Sequence, residues 1–308
     1  MPRLLVVSPH AERFAELIEA EALPGLEADY CASAADAHAH CGEAEILFGA
    51  PDQLASLLDD CASMRWLQSS WAGVKPLLEQ ARRDYLLSGV KGIFGPLMAE
   101  YVLGWLIAIE RQIPARAQAR QWDDSPDNYL SGKTLGIMGT GDIGQHVAHC
   151  AEVFGLTLRG LNSDARPVAG FDSCFSRENI EAFATGLDYL VALLPDTAAS
   201  DGLVDAQLLS RLTKGAILVN GGRANCIVQA DLLAALETGQ LRHAVLDVLP
   251  TEPLPASDPL WQVENLSITS HTAAPTRSAD IVAIFCENYR RYIAGDTLLH
   301  LVDFERGY

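Results

Sequence analysis

The chain has 308 residues, of which 49% are hydrophobic, and its 40 acidic and 22 basic side chains give a formal net charge of −18 at pH 7. This length exceeds the roughly 100 to 200 residues of one typical domain, so we expect two domains with separate cores. Nucleic acids and anionic membranes bind basic patches, and so acidic a composition excludes both as expected partners.

Cysteine usage and the beginning of the chain indicate a reduced compartment. Seven cysteines are scattered through the sequence without a C-x-x-C pair, which argues against a disulfide framework and against a zinc site. No run approaches the roughly 18 uninterrupted apolar residues that span a bilayer. The segment MPRLLVVSPH passes into a strand-like run rather than a cleavable signal. We therefore expect a cytoplasmic protein without a metal site.

The first third of the chain alternates short apolar runs with amphipathic stretches, a pattern typical of strands separated by helices. A long helix is predicted from about Leu97, where MAEYVLGWLIAIERQ is too densely apolar to be buried on one face alone. Pro114 and the segment 122–126 are expected to end it. Strands are predicted at residues 4–8, 45–49 and 65–70 and, more weakly, at 89–93.

A second series of apolar runs follows, each apolar at both alternating positions, as expected for parallel strands that helices cover on both faces. The fold class is therefore α/β, with two Rossmann-like, doubly wound parallel-sheet domains. We expect ordered joints near Pro96 and Pro275, which give domains of residues 1–96 plus 276–308 and of residues 97–275. The strands of this series are predicted at residues 134–140, 156–162, 188–194, 215–220, 243–248 and 266–270, and a last helix at 278–294.

A glycine motif follows the first strand of the second series and precedes a helix-like segment. In a G-x-G-x-x-G loop, one glycine allows the tight turn, one lets the backbone approach a pyrophosphate, and one permits close packing of helix on strand. The phosphate then lies at the N-terminus of the following helix. The motif predicts a dinucleotide site at Gly139, Thr140, Gly141, Asp142, Ile143 and Gly144.

The residues about 20 positions further on bear on the choice between NADP(H) and NAD(H). Asn162 takes the place of the acidic residue that usually binds the ribose hydroxyls of NAD. Asn162 and Ser163 can donate hydrogen bonds to a 2′-phosphate, and Arg166 can neutralise its charge. Asp164 leaves the alternative open, because its carboxylate can accept hydrogen bonds from ribose hydroxyls. The sequence favours NADP(H) over NAD(H).

Three further strings follow the last three predicted strands, where ligands bind in open α/β sheets. They are NGGR, which ends at Arg223, DVLPTEPL, which contains Glu252, and TSHTAA, which contains His271. In order and spacing they resemble the D-2-hydroxyacid dehydrogenases. The resemblance covers the whole chain, including SSWAGV, AEYVLG, LPDT and the closing VDFERGY, and is closest to the glyoxylate/hydroxypyruvate reductase A branch.

The resemblance implies an NAD(P)-dependent dehydrogenase that reduces a small 2-keto acid to the D-2-hydroxy acid. Hydride arriving at the keto carbon leaves negative charge on the keto oxygen, so a proton donor is needed, and histidine ordinarily titrates nearest neutral pH. His271 is implied as that donor, and Glu252 as the partner of its other ring nitrogen, which favours the protonated ring. Arg223 offers a planar fork for the carboxylate and keto oxygens of the substrate.

The resemblance also assigns roles to the two domains. The first would be a flavodoxin-like substrate-binding domain, in which the backbone amides of Ala72, Gly73 and Val74 bind the substrate carboxylate in an interdomain cleft. Trp71 stands where the family's loop commonly has glycine. Two interpretations of Trp71 stay open, a cap on the domain surface and a selector of the substrate side chain.

The second domain would bind the cofactor. There the resemblance implies that Asp247 hydrogen-bonds the nicotinamide amide and that Leu194 and Pro195 pack on its ring. A homodimer is implied as well, through residues 97–113 and the following arm RQIPARAQARQW.

Two other functions are compatible with the cofactor motif. A nicotinamide-sensing scaffold or corepressor-like binding protein would keep the glycine loop but would need exposed grooves or extensions for its partners. A dehydrogenase of another small anion, such as formate or phosphite, would use the same scaffold. Formate-type enzymes normally have glutamine in the position that Glu252 occupies.

Overall fold

The apolar runs of the sequence form two parallel sheets in a computed structural model, which describes residues 2–126, 128–305 and 307. The part of the closing VDFERGY string at Arg306 and Tyr308 lies outside the described residues. The strands of the described chain are β1 (Arg3–Val7), β2 (Glu27–Cys31), β3 (Ile46–Gly49), β4 (Trp66–Ser69), β5 (Leu86–Ser88), β6 (Thr134–Met138), β7 (Thr157–Leu161), β8 (Ser173–Phe175), β9 (Tyr189–Ala192), β10 (Ala216–Asn220), β11 (Leu241–Leu246) and β12 (Leu266–Ile268).

Helices connect most of these strands, as parallel pairing requires. The α-helices of the described residues are α1 (Ala11–Ala20), α2 (Ala34–Ala37), α3 (Pro51–Ala55), α4 (Lys75–Leu78), α5 (Gly95–Glu110), α6 (Ile113–Gln118), α7 (Asp142–Glu152), α8 (Ile180–Ala184), α9 (Ala206–Arg211), α10 (Gln229–Glu237) and α11 (Ser278–Ala294). Short 3₁₀ helices lie at His38–Glu43, Arg177–Asn179, Ala224–Cys226 and Pro259–Gln262.

By their contacts the residues divide into two compact units, Met1–Ile93 with Thr276–Tyr308 and Phe94–Pro275. The first contains a five-stranded sheet in the order β2-β1-β3-β4-β5, which is the flavodoxin-like order. The second contains a seven-stranded sheet in the order β12-β11-β10-β9-β6-β7-β8. This is the doubly wound dinucleotide-binding order with one further strand at an edge. The predicted fold class is therefore confirmed.

The core of the first unit depends on α11. The ring of Phe285 stacks between those of Phe48 and Trp66, at centroid distances of 4.7 and 5.4 Å. On the same helix, the buried Asn288 donates from Nδ2 to Oε1 of Gln68 at 3.0 Å and accepts at Oδ1 from the Leu299 amide at 2.7 Å. Apolar stacking and a fully buried amide pair thus hold the helix on this sheet.

Strand predictions failed only at sheet edges. The weak strand prediction at residues 89–93 was wrong: the strand is β5, which ends at Ser88, and the chain then turns through Gly92 at φ +85°. Strands β2 and β8 were not predicted, and each lies at an edge of its sheet. Edge strands have one solvated side, so their sequences lack the apolar signature of central parallel strands.

The end of α5 also differs from the prediction. The helix stops at Glu110, and Gln112 takes a left-handed conformation at φ +50° before α6 begins. Pro114 therefore lies in the first turn of α6, where its missing N–H costs no hydrogen bond, rather than ending α5.

A buried carboxylate joins α5 to the second sheet. The side chain of Glu110 is 1% exposed, and its Oε1 accepts from Lys133 Nζ, Tyr189 OH and Arg242 Nη2 at 2.8, 2.8 and 2.7 Å. Burial opposes ionisation of this carboxyl, but the three hydrogen bonds outweigh it and lower the pKa of Glu110.

We expect Glu110→Gln to lower the free energy of unfolding by about 1 to 3 kcal/mol at neutral pH, because two cations lose their carboxylate. A lowered folded-state pKa stabilises the fold above the unfolded pKa of about 4.3, and this contribution is lost as pH falls through the folded value. In urea denaturation, the free energies of unfolding of the wild type and of Glu110→Gln should therefore converge at acidic pH. Glu181→Gln, which replaces an exposed carboxylate bonded to Arg211 and Gln207, is the control, with an expected effect under about 1 kcal/mol. A difference that stays constant with pH would contradict the assignment.

Candidate active site

The glycine motif forms the turn from β6 into α7. Gly139 has φ +103°, and a Cβ there would lie 2.8 Å from the carbonyl oxygen of Leu193. A Cβ on Gly144 would lie 2.0 Å from the carbonyl oxygen of Gly139, so α7 packs against the turn only because this residue is glycine. A Cβ on Gly141 would meet nothing within 4 Å. The turn is closed on its protein side and open in front of Gly141, as a pyrophosphate cradle at a helix N-terminus requires.

The loop after β7 contains the predicted ribose-recognition residues. Asn162 Nδ2 donates to Thr140 Oγ1 at 3.2 Å and to the Arg166 carbonyl at 3.0 Å, which ties this loop to the glycine turn. Arg166 Nη1 contacts Asp164 Oδ1 at 3.1 Å, and both side chains are largely exposed. The Arg166 guanidinium therefore lies at the exposed surface of the loop that contains Asn162, paired with one carboxylate.

The LPDT loop after β9 is held by side-chain hydrogen bonds to its backbone. Ser200 Oγ donates to the Pro195 carbonyl at 2.6 Å, and Asn225 Nδ2 donates to Ser200 Oγ at 3.1 Å. A Cβ on Gly222 would lie 2.8 Å from the Leu194 amide nitrogen. The loop that precedes Arg223 therefore packs directly on Leu194, and the two loops form one surface.

The three charged residues predicted for catalysis follow neighbouring strands. Arg223 follows β10, Glu252 follows β11 and His271 follows β12, and these strands are adjacent and parallel. Parallel strands present their carboxyl ends at one edge, so the three residues share that edge of the sheet. Arg223 lies in a loop fixed by Asn220, which donates to the Arg223 carbonyl and accepts from the Gly222 amide.

The imidazole of His271 is bonded to Glu252. The distance between Nδ1 and Glu252 Oε2 is 2.9 Å, and the side chains are 52% and 38% exposed. The other carboxylate oxygen, Oε1, accepts from the Leu249 amide at 2.9 Å, which orients Glu252 toward the ring. His271 has φ +55°, a conformation that is uncommon outside glycine. With Nδ1 engaged, Nε2 is the ring nitrogen left to face a substrate.

Asp247 forms the polar centre of these strand ends. It is 2% exposed, and its carboxylate accepts from Thr269 Oγ1 at 2.5 Å and from the amides of Thr272 and Ala273 at 2.8 and 3.0 Å. Its backbone carbonyl accepts from the His271 amide at 2.8 Å. One buried residue therefore fixes the turn in which His271 lies.

A cavity of about 360 Å³ opens beside the His271 and Glu252 pair. Its polar wall consists of those two side chains with Asp247, Thr269 and Ser270. The remaining wall is formed by Leu249, Pro253, Leu254, Trp261 and Ile268. An apolar cavity with a few convergent polar groups is the usual form of a small-molecule site.

The SSWAGV loop of the first unit has its own support. Ser69 Oγ accepts from the Trp71 amide at 3.0 Å and donates to the Trp71 carbonyl at 2.8 Å, while Gln68 Nε2 donates to the Ser69 carbonyl at 2.9 Å. The indole of Trp71 is 43% exposed. Ala72 and Gly73 are accessible and Val74 is buried at the beginning of α4, so the loop presents backbone at its tip.

Thr269 and Asn220 were assigned no role from the sequence although they contact the predicted site, and Tyr101, likewise without a predicted role, contacts Thr269. Asn220 and Thr269 stand in strings that the sequence singled out, but their hydrogen bonds to Gly222 and Asp247 depend on turn geometry. Tyr101 is 168 positions from Thr269 in the chain, and its OH lies 2.7 Å from Thr269 Oγ1. No local pattern predicts so distant a contact. Among the described residues there is also no cluster that could hold a metal ion and no helix long and apolar enough to cross a membrane.

A glycine-loop dinucleotide fold with arginine, glutamate and histidine at one sheet edge defines a nicotinamide-dependent oxidoreductase. Residues 103–273 match the model of the D-isomer specific 2-hydroxyacid dehydrogenase NAD-binding domain. Glyoxylate/hydroxypyruvate reductase A of Escherichia fergusonii is 35% identical over 218 residues, 70% of each chain. The chain belongs to the D-isomer specific 2-hydroxyacid dehydrogenase family, which confirms the predicted family, the enzyme class and a nicotinamide cofactor.

Solved structures give the same relationship over the full length. A D-isomer specific 2-hydroxyacid dehydrogenase family protein from Aeromonas salmonicida is 41% identical, with a TM-score of 0.92 over 98% of this chain and 99% of the other. The NADPH-dependent glyoxylate/hydroxypyruvate reductase of Sinorhizobium meliloti, in complex with NADP and sulfate, is 27% identical, with a TM-score of 0.87 over 100% of both chains. The protein is therefore an NAD(P)-dependent oxidoreductase of the 2-hydroxyacid class.

Proposed function

We propose that the protein reduces a small 2-keto acid, of the glyoxylate or hydroxypyruvate type, to the D-2-hydroxy acid with NADPH as the preferred cofactor. The observation that carries the proposal is the 2.9 Å contact between His271 Nδ1 and Glu252 Oε2, on the sheet edge at which Arg223 follows β10. A histidine whose Nδ1 is held by a carboxylate and whose ring is half exposed is arranged to donate a proton from Nε2.

Each of the three residues has one task in this reaction. Bound nicotinamide supplies the hydride that reaches the keto carbon. His271 Nε2 gives its proton to the keto oxygen, and Glu252 stabilises the imidazolium before transfer. Arg223 donates one of its five N–H groups to the Gly222 carbonyl at 2.7 Å, and the remaining donors hold the carboxylate and keto oxygens of the substrate. The positive charge of Arg223 attracts an anionic substrate that the strongly acidic protein surface would otherwise repel.

The fit of the cofactor is supported by the open space in front of Gly141 and by the packing of the neighbouring loops. Gly139 to Gly144 would hold the pyrophosphate, Leu194 and Pro195 would pack on the nicotinamide ring, and Asp247 would accept from its amide. Preference for NADP(H) is supported by the neutral side chain of Asn162 at the end of β7, where an acidic residue would repel a 2′-phosphate, and by the exposed Arg166 guanidinium of the same loop. A 2′-phosphate would compete with Asp164 for this guanidinium.

The test is the initial rate of NADPH and of NADH oxidation by purified protein with glyoxylate, hydroxypyruvate, pyruvate and phenylpyruvate. We expect turnover with the smaller acids and a higher kcat/KM for NADPH. Asn162→Asp should lower kcat/KM for NADPH by about tenfold or more through repulsion of the 2′-phosphate, while NADH is retained or improved. An equal change in kcat/KM for NADPH and for NADH in this variant would contradict the proposed preference for NADPH.

The same panel bears on Trp71. Retained activity on phenylpyruvate, lost in Trp71→Gly, would favour the interpretation in which the indole selects the substrate side chain. Unchanged selectivity in that variant would leave Trp71 as a cap on the domain surface. No turnover with any acid, in a protein that binds NADPH, would favour a different small anion as substrate.

We also propose a homodimer formed through α5, α6 and the segment that follows them. The proposal is supported by large apolar side chains that this region exposes, including Trp122 at 93%. Exposed aromatic side chains of this kind are typical of interfaces. Sedimentation equilibrium should give twice the 33.2 kDa mass of the chain, and a monomer at micromolar concentration would contradict the proposal.

A further inference from the structure

A chain of hydrogen bonds runs from α5 to the strand ends that surround His271. Tyr101 OH lies 2.7 Å from Thr269 Oγ1, and Thr269 Oγ1 lies 2.5 Å from Asp247 Oδ1. All three residues belong to the second unit. The hydroxyl of Tyr101 hydrogen-bonds Thr269 rather than the His271 and Glu252 pair, and the mechanism above does not use it.

The number of protons on each group decides which atom donates in this series of hydrogen bonds. Asp247 Oδ1 accepts the hydroxyl proton of Thr269 and also the Thr272 amide at 2.8 Å. A threonine hydroxyl has one proton, so Thr269 Oγ1 can only accept from Tyr101, which must donate. Burial, partly offset by the hydrogen bond to Thr269, raises the pKa of Tyr101 to about 12. The phenol therefore keeps its proton throughout the neutral range.

The carboxylate of Asp247 has one acceptor position left. Two carboxylate oxygens offer about four lone-pair sites, and three hydrogen bonds from Thr269, Thr272 and Ala273 occupy sites on Asp247. The third of these reaches Oδ2 at 3.0 Å, so the open site is on Oδ2. A neutral carboxamide N–H is a suitable donor for one such site. The direction of this site depends on the rotation of the carboxylate, which Thr269 and the two amides restrict.

We propose that Tyr101 is a positioning residue that, through Thr269, holds the Asp247 carboxylate so that its free Oδ2 site accepts the carboxamide N–H of the nicotinamide. This inference rests on the proposed function in one respect, the role of Asp247 as the carboxamide acceptor. The Asp247 carbonyl also accepts from the His271 amide at 2.8 Å. The same chain therefore ties the orientation of the nicotinamide to the backbone of the proton donor.

The experiment compares natural NADPH with its 3-acetylpyridine analogue, in which a methyl group replaces the carboxamide NH₂ and no donor remains. Dissociation constants are measured by cofactor fluorescence for the wild type, Tyr101→Phe, Thr269→Val and Thr269→Ser. We expect the wild type to prefer NADPH by about threefold to tenfold, the usual worth of one hydrogen bond. Tyr101→Phe and Thr269→Val should reduce the ratio of the two dissociation constants by about half or more. Thr269→Ser keeps the hydroxyl and should retain the ratio.

A merely structural role predicts another result. Loss of packing in Tyr101→Phe would weaken both cofactors by the same factor and leave their ratio unchanged, and that outcome would overturn the proposal. Equal wild-type affinity for the two cofactors would overturn it too, because Asp247 would then bind no carboxamide. Thermal unfolding shows whether each variant is folded. Because the experiment measures cofactor binding, it tests Tyr101 even if the protein reduces no keto acid. A failure of the proposed function would appear instead in the initial rates of cofactor oxidation.

Discussion

His271→Ala is expected to lower kcat for keto acid reduction by about 10²- to 10⁴-fold, the usual contribution of a positioned general acid. The variant removes the proton donor but leaves the glycine loop and Asp247 intact, so the dissociation constant for NADPH should stay within about twofold of the wild type. Steady-state rates with the best keto acid and fluorescence titration of NADPH measure the two quantities.

Glu252→Gln is the companion to this variant. The amide keeps the shape of the side chain but no longer offers a negative charge to the ring nitrogen 2.9 Å away. A smaller loss in kcat of about 10- to 100-fold is expected, because the imidazolium loses its carboxylate partner. If kcat is unimpaired in His271→Ala, the proton comes from another group, and the proposed mechanism is contradicted.

The second large effect is expected for Arg223→Lys. Lysine keeps the charge but offers a point donor instead of a planar fork, and the loss of two charge-assisted hydrogen bonds predicts a fall in kcat/KM of about 10²-fold or more. The loop itself should survive, because Asn220 bonds only the backbone of residue 223.

An uncharged substrate distinguishes this role from general damage. The ethyl ester of glyoxylate lacks the carboxylate that Arg223 binds, so the substitution should reduce kcat/KM for the ester far less than for the acid. Arg166→Lys, at the proposed cofactor phosphate, is the matched control and should change the kinetics of NADPH rather than of the acid. An equal loss on acid and ester would contradict a carboxylate-binding role.

The central strands could be predicted from the sequence because they are buried on both faces and consist mostly of apolar residues. Strands β6, β9, β10 and β11 are of this kind, with Leu135, Val191, Leu218 and Val245 almost fully buried. Strand β2, with the sequence EADYC, is half exposed and polar at two positions, and its pairing with β1 is a tertiary event that no local pattern records.

The candidate site likewise contains residues that the sequence predicts and a contact that it does not predict. Gly139, Arg223, Glu252 and His271 stand in short strings whose spacing follows from strand and turn geometry, so they could be proposed from the sequence. The link from Tyr101 through Thr269 to Asp247 joins a helix to a strand end far along the chain. Its existence depends on how α5 packs on the sheet, and only the structure contains that information.

The position of α11 has a consequence for biosynthesis. Strands β1 to β5 are synthesised before the second unit, yet Phe285, which covers Phe48 and Trp66, is synthesised after it. The whole second unit, Phe94–Pro275, emerges from the ribosome in between. Because domains fold as units and in order of synthesis, the cofactor-binding half can complete its fold first. The first unit keeps an open aromatic face until α11 is released.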